Sequence, residues 1–487
     1  MENLIKVIIQ SNYSKELFKG MRSILWFRND LRTHDNPALH YFLTTSTSEL
    51  PRKAIFFISE KQWLTHDWSP IKIDFIKRHA HALVSELAIL NIELELVTVP
   101  DFEAQTTYLK DYCASNNINN VFANGELEFN EHQRDLSCIA QEIPLTLYEA
   151  DVIVPKGKVL NQSGEMFKVF TPFKKAWLKY VREGGFEYLG KIASAPLLDK
   201  DTVKANPVRV NQEGSLSSAW PLAKEYERTA LPTFFQNKVK SYAQQRDIPS
   251  IKGTSGISPY LAAGVISPRY VLILLLNQFP DLFMASDSEE FSWLNEIIWR
   301  EFYRHLMFHE QKLCKNICFK EKYQAVQWHN NETLFKAWCE GQTGYPLVDA
   351  AMRQLNQTGW MHNRLRMVVA SFLTKHLLID WRLGEKYFMQ HLIDGDLASN
   401  NGGWQWAAST GCDSQPYFRI FNPIRQSERF DPKGKFIRKY LPELESVPDK
   451  HVHFPEQYIE NHKLAIYVKP IVEHKEARMK ALAFYKV

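Results

Sequence analysis

A chain of 487 residues is long enough for two or three domains, and 45% hydrophobic with 23% charged residues is the composition of an ordinary soluble globular protein. A net charge of +4 cannot hold a polyanion by overall field, so any such partner must be met by a local patch. Six cysteines without framework spacing and a longest apolar run of only YVLILLL (270–276) exclude a disulfide scaffold and a membrane span.

With no secretory signal, reduced thiols and a cytoplasmic location are expected. Residues 1–20 read as an appended segment, with Met21 as an alternative start. The aromatic content is high, at 13 Trp, 20 Tyr and 30 Phe. Most of these rings must be core, but so many indoles leave room for stacking surfaces or redox work.

In chain order, SILWF (23–27), AIFFI (54–58), IELELVTV (92–99), NNVFANG (119–125) and LTLYEADVIV (145–154) read as strands. Between them, Ser69-Pro70 opens a helix to about Leu90, and Asp101 caps another. Strand–helix alternation predicts a doubly wound parallel α/β sheet over 21–154. WFRNDLRTHDN follows the first strand where a Gly-rich dinucleotide fingerprint would stand, which argues against a standard nicotinamide domain. Residues 155–230 carry scattered Pro, Gly, Ser and charge and read as a long connector. From 231 to 487 the pattern is helical, with SPRYVLILLLNQF (267–279), SEEFSWLNEIIWREFYRHLMFH (288–309) and YPLVDAAMRQLNQT (345–358) as the clearest periods.

Several constellations carry chemistry. Trp293, Glu296 and Arg300 fall on one helix face, with Trp299 three beyond Glu296: a carboxylate among indoles and a guanidinium. In GWMHNRLRM (359–367), Trp360, Asn363 and Met367 share a face, while Arg364 and Arg366 project elsewhere with the planar fork that suits phosphate or carboxylate. NNGGWQWAASTG (400–411) places Trp404 and Trp406 beside neutral amides, just after DGD (394–396). On a helix these two indoles lie about 200° apart. His305, His309, Cys314 and Cys318 have a zinc-like look, but the cysteines fall beyond the helix end, and no metal is expected. YFRIFNPIRQSERFDPKGKFIRKY (417–440) interleaves aromatics with basic residues, as a phosphate-tracking surface would; a solvated charged face fits it as well.

Taken together, LWFRNDLRTHDNPAL (25–39), FTPF (170–173), WLNEIIWREFYRHL (293–306), TGWMHNRLRM (358–367), DWRLGEKYF (380–388) and DGDLASNNGGWQWAASTG (394–411) resemble the photolyase/cryptochrome family. The likeness runs from about Met21 to the C-terminus. It is strongest to the bacterial class I cyclobutane pyrimidine dimer photolyases of the folate-antenna group, deoxyribodipyrimidine photo-lyases. The resemblance implies an α/β domain, a connector and an all-α domain that holds one FAD in a U-shaped form.

By matching motif positions, it implies that Tyr242 and Thr254, Ser255, Gly256, Ile257 and Ser258 hold the phosphates and adenosine end. Trp293, Arg300, Asn363, Asp394, Gly395 and Asp396 would line the cofactor, with Arg366 paired to Asp394. Asn400 matches the residue that faces flavin N5. Trp404, Trp381 and Trp328 match an electron-hopping chain to the surface.

Glu296 would hydrogen-bond a flipped dimer, with Trp299, Met367 and Trp406 around it. Arg246, Arg364 and Arg419 would meet DNA phosphates. Asn130, Glu131 and Lys315 match contacts of a 5,10-methenyltetrahydrofolate antenna. The implied reaction is light-driven repair of damaged DNA by electron transfer from excited reduced FAD, by a monomer without membrane contact.

The alternative is a photosensory cryptochrome that signals without repair. Glu296 with Trp299, Asn400 and the absence of a long C-terminal tail weigh against it. Repair of the six-four photoproduct would call for a histidine pair, whereas Asn363 follows His362 and Met367 lies a turn on.

Overall fold

The computed structural model describes residues 22–45, 52–191 and 214–486. The segment 1–20, Met21 and the connector stretch 192–213 lie outside the described residues.

The N-terminal sheet has five parallel strands, β1 (Ser23–Phe27), β2 (Arg52–Ile58), β3 (Ile92–Thr98), β4 (Asn120–Asn124) and β5 (Leu145–Tyr148). Their order is β3-β2-β1-β4-β5. Helices cover both faces, so β1 and β4 are buried on both sides, as parallel sheets require. The expected caps form. Ser69 accepts from the Lys72 N–H at the start of the Pro70–Ala88 helix, and Asp101 from the Ala104 N–H at the start of Phe102–Asn116. The chain reverses its winding direction between β1 and β4. Doubly wound sheets open a crevice beyond the carboxyl ends of such strands, here at Asn29 and at Gly125–Glu126.

One expected strand is shorter than its apolar run. LTLYEADVIV pairs only as far as Tyr148. The Ile153 and Val154 N–H groups donate instead to the Glu301 carboxylate, at 2.9 and 3.1 Å. A buried side chain thus replaces a neighbouring strand and draws the segment onto the helical half. Trp177 Nε1 donates to the same carboxylate at 3.2 Å and ties in the Phe170–Arg182 helix, which lies within the expected connector.

The helical half packs around Glu289–His309, a 21-residue helix capped by Ser288, with Glu289 and Glu290 in its first turn. Pro346–Thr358, Asn363–Ser371, Trp381–His391 and Leu397–Ala408 complete the frame of the site. Trp360 precedes the Asn363–Ser371 helix and so does not share its face with Asn363 and Met367; His362 takes the N-cap position. Buried polar clamps join the halves. Arg32 donates to the Gly264 carbonyl at 2.7 Å and the Ala150 carbonyl at 2.9 Å, and Arg269 pairs with Asp35 at 2.8 Å. Among the described residues, no helix is long and apolar enough to cross a membrane.

Candidate functional site

A cavity of about 410 Å³ lies in the cleft between the two halves, at the crevice beyond β1 and β4. It brings together Asn130, Glu131, Arg300, Gly395 and Asp396, residues far apart in sequence. Asp396 pairs with Arg304, and it caps the Leu397–Ala408 helix by accepting from the Ser399 N–H at 2.8 Å. Burial works against its charge, but Arg304 and Arg300 hold its carboxyl down at about 2. Arg300 donates to the Asp151 carbonyl at 2.7 Å and has no carboxylate within ion-pair distance among the described residues. Burial lowers its pKa. A guanidinium facing the cavity with no carboxylate in direct ion-pair contact fits an anionic group such as a diphosphate.

Tyr242, Trp293 and the 254–258 stretch are not among the residues that line this cavity. Trp293 is buried and packs on Phe234 and Phe235, and Phe234 meets the Tyr242 ring at 6.2 Å. Thr254, Ser255, Gly256 and Ile257 form a loop leading into the short Ser258–Ala262 helix. Gly256 has φ +70°, a left-handed turn that a side chain would strain. The Tyr226 hydroxyl donates to the Ser255 carbonyl at 3.0 Å and fixes that turn. Asn363 is exposed at the start of its helix. Arg366 forks onto both Asp394 oxygens, at 3.0 and 2.8 Å. The Asn400 side-chain N–H donates to the Glu385 carbonyl at 2.9 Å, which fixes the amide orientation and leaves Oδ1 as the acceptor for a ligand.

Glu296 pairs with Arg246 at 2.6 Å, and Arg246 lies 5.4 Å from the Tyr242 ring centre. Burial pushes the Glu296 carboxyl up, against the opposing pull of Arg246. Arg364 forks onto Asp247 at 3.2 and 2.9 Å. In this state both arginines therefore have carboxylate partners. Arg419 is exposed in a turn beside the exposed Phe418. Trp299 lies flat on Phe170 of the FTPF motif, with centroids 3.6 Å apart, so one indole face is already covered. Met367 and Trp406 are half-buried.

Residues 400–408 of NNGGWQWAASTG are helical, so the two indoles diverge: Trp404 is buried among the C-terminal helices and Trp406 lies nearer the surface. Gly402 and Gly384 serve close approach. A Cβ on Gly402 would meet the Tyr303 ring at 2.2 Å, and one on Gly384 the Trp404 ring at 2.2 Å. Trp381 is buried in the same core as Trp404, on the helix packed against it. Trp328 is half-buried and lies against Phe484 and Tyr485.

Across the cleft, Glu131 meets His66 Nδ1 at 3.1 Å, and the Asn130 amide nitrogen lies 3.1 Å from His66 Nε2. The Lys315 ammonium reaches over Phe129, 3.9 Å from its centre. Burial and the nearby Glu131 and Asp396 carboxylates push Glu128 up to about 7, with Arg304 opposing. His66, Lys72, Glu128, Arg304 and Glu385 line this cavity, yet the sequence reading passed over them. The only available signal was THDWSP just before the Ser69 cap, because the other contacts form between distant segments. His305 is used structurally, with Nε2 3.0 Å from the Val154 carbonyl. No cluster of metal-ligating side chains occurs among the described residues.

Residues 293–487 match the FAD binding domain of DNA photolyase, and residues 23–191 match DNA photolyase. The chain is 46% identical over 470 residues to the deoxyribodipyrimidine photo-lyase of Escherichia coli (strain K12), covering 95% of this chain and 98% of that one. It is 44% identical over 474 residues to that of Vibrio cholerae, covering 95% and 99%. Among solved structures, a class III photolyase from Agrobacterium tumefaciens superposes with a TM-score of 0.76 at 31% identity, covering 98% of each chain. A Synechocystis cryptochrome superposes with a TM-score of 0.78 at 26% identity, covering 95% of this chain and 99% of that one.

Proposed function

The chain belongs to the DNA photolyase family, and we propose that it repairs cyclobutane pyrimidine dimers in DNA with light, as a deoxyribodipyrimidine photo-lyase. The observation that carries the FAD site is Arg300, a cation with no carboxylate in direct ion-pair contact among the described residues, in a cavity shared with Asp396. It sits in the segment that matches an FAD-binding domain. When bound and reduced, FAD supplies an electron on excitation and takes it back after the cyclobutane bonds open.

The residues of this chain then divide the work. Tyr242, Trp293 and the 254–258 turn hold the nucleotide end, and Arg300 neutralises phosphate charge. The Arg366–Asp394 fork fixes the wall beside the flavin ring. Asn400 would offer the flavin a neutral amide oxygen, which would add no negative charge beside an electron donor. Trp404, Trp381 and Trp328 carry electrons inward from the surface.

Arg246, Arg364 and Arg419 meet DNA phosphates, with Glu296 and Asp247 acting as placeholders for the first two before DNA arrives. A dimer stacks poorly, so it leaves the duplex at lower cost than a normal pair. Trp299, Trp406 and Met367 form its walls. A hydrogen bond between Glu296 and the dimer would strengthen as the base carbonyl gains negative charge.

The cleft residues Asn130, Glu131 and Lys315 hold a reduced folate as antenna. The protein acts as a monomer in the cytoplasm, and its described cysteines are all free. The α/β part, 21–154, carries the Asn130 and Glu131 antenna contacts, and the helical part, 231–487, carries Lys315 and the repair site.

Illumination of DNA carrying both cyclobutane dimers and six-four photoproducts tests this reading. Loss of the cyclobutane dimers alone is expected. Selective loss of the six-four product, or flavin photochemistry without repair as in a signalling cryptochrome, would overturn it.

A further inference from the structure

The first turn of the Pro70–Ala88 helix belongs to the α/β half, yet it touches the loop that carries the flavin-site aspartates at three points. The Ser69 hydroxyl donates to the Leu392 carbonyl at 2.7 Å. Ile71 packs so closely on Gly359 that a Cβ there would lie 2.8 Å from it, and the Gly359 carbonyl in turn accepts from the Ile393 N–H at 2.8 Å. The Lys72 ammonium donates to the Gly395 carbonyl at 2.7 Å. Gly395 is the residue between Asp394, which Arg366 holds, and Asp396, which Arg304 holds and which caps the Asn400-bearing helix.

Lys72 is an unusual choice for simple domain cement. It is 4% exposed, and the Trp68 ring lies 3.8 Å from its nitrogen. Burial pulls its pKa down to about 8, although Asp396, Glu128 and Glu131 favour its charge. Keeping an ammonium in such a place is costly unless its hydrogen bonds are made. The bond it makes goes to the carbonyl of the residue between the Arg366-bound Asp394 and the Arg304-bound Asp396.

We propose that Lys72, through its hydrogen bond to the Gly395 carbonyl, is a positioning residue for the Asp394–Asp396 loop, so that the α/β half shapes the flavin site across the domain boundary. The inference rests on FAD occupying the helical domain. It adds that retention of FAD depends on a side chain outside that domain. Lys72 lines the cavity, and the action argued here runs through its bond to the backbone of the loop.

The test is the rate at which FAD leaves the purified holoprotein, read as the rise of free-flavin fluorescence after dilution. Lys72→Met keeps the stem and removes the donor, and should release FAD faster by on the order of tenfold, as expected for loss of a hydrogen bond from a charged donor. Lys72→Gln keeps a hydrogen-bond donor, one bond shorter than the lysine's, and should release FAD more slowly than Lys72→Met. The visible circular dichroism of the bound flavin should change in the methionine variant and be restored in the glutamine variant. If Lys72→Met does not accumulate, Lys72→Thr, which is too short to reach Gly395, takes its place.

Equal release rates in all variants would overturn the proposal. So would release as fast from Lys72→Gln as from Lys72→Met, or a lowered melting temperature of the apoprotein with unchanged FAD release. Failure of the parent protein to bind FAD would count against the cofactor reading instead.

Discussion

Replacing Glu296 by alanine separates holding the dimer from splitting it. In the free protein the carboxylate is paired with Arg246 at 2.6 Å, and the two side chains are 29% and 28% exposed. An ion pair that keeps this partial exposure is worth about 1 kcal/mol, so the variant should fold and melt within a few degrees of the parent. None of the Arg300, Arg366 or Asp394 contacts involves Glu296, so the flavin content per chain should stay unchanged. Repair should fall further. A hydrogen bond to a carbonyl that becomes negative is worth about 1.5–3 kcal/mol, which is roughly 10- to 100-fold in the rate of the step it assists. The assay is single-flash repair at saturating dimer-containing DNA, alongside dimer affinity and the flavin-to-protein ratio. A normal flash yield at saturation, with only affinity reduced, would refute the assignment and make Glu296 a binding residue.

Trp328→Phe should abolish photoreduction of oxidised flavin by external donors, yet spare repair by protein already reduced chemically; the flavin absorbance under illumination reads the first and a repair assay the second. Arg419→Ala removes one exposed cation from the DNA face, so affinity should weaken across sequences. The slope of log K against log salt should fall by about one, with repair per bound dimer unchanged. Glu128 stands at about 7 in the cleft, and as pH rises through that value it loses its proton and adds negative charge to the cavity. Folate is anionic, so its affinity should fall between about pH 6 and about pH 8, by at most about tenfold per unit, and Glu128→Gln should flatten that dependence in a fluorescence titration.

The sheet was legible because parallel strands buried on both faces must be continuous apolar runs, and because Ser69-Pro70 and Asp101 mark helix starts by chemistry rather than by context. The end of β5 was not legible. DVIV is as apolar as a strand, and only the distant Glu301 decides where its backbone N–H groups go. Helix spacing puts Trp293, Glu296 and Arg300 on one element, Glu289–His309, but their partners differ: Trp293 packs on Phe234 and Phe235, Glu296 pairs with Arg246, and Arg300 alone of the three lines the cavity. The Arg246–Glu296 and Arg364–Asp247 pairs could not be foreseen, since each joins residues more than forty positions apart without a spacing rule. His66 and Lys72 were missed for the same reason. A lone histidine or lysine near a helix start carries no pattern until the opposite wall of the cleft is in place.

The most direct measurement uses a short synthetic DNA with a single thymine dimer, incubated with the reduced protein in the dark and under near-ultraviolet or blue light, with products separated by chromatography. Internal return of the electron predicts conversion to two intact thymines only in the light, with many dimers repaired per protein and no net consumption of reductant. Repair in the dark, or one equivalent of reductant consumed for each dimer opened, would contradict light-driven electron transfer as the function of this fold.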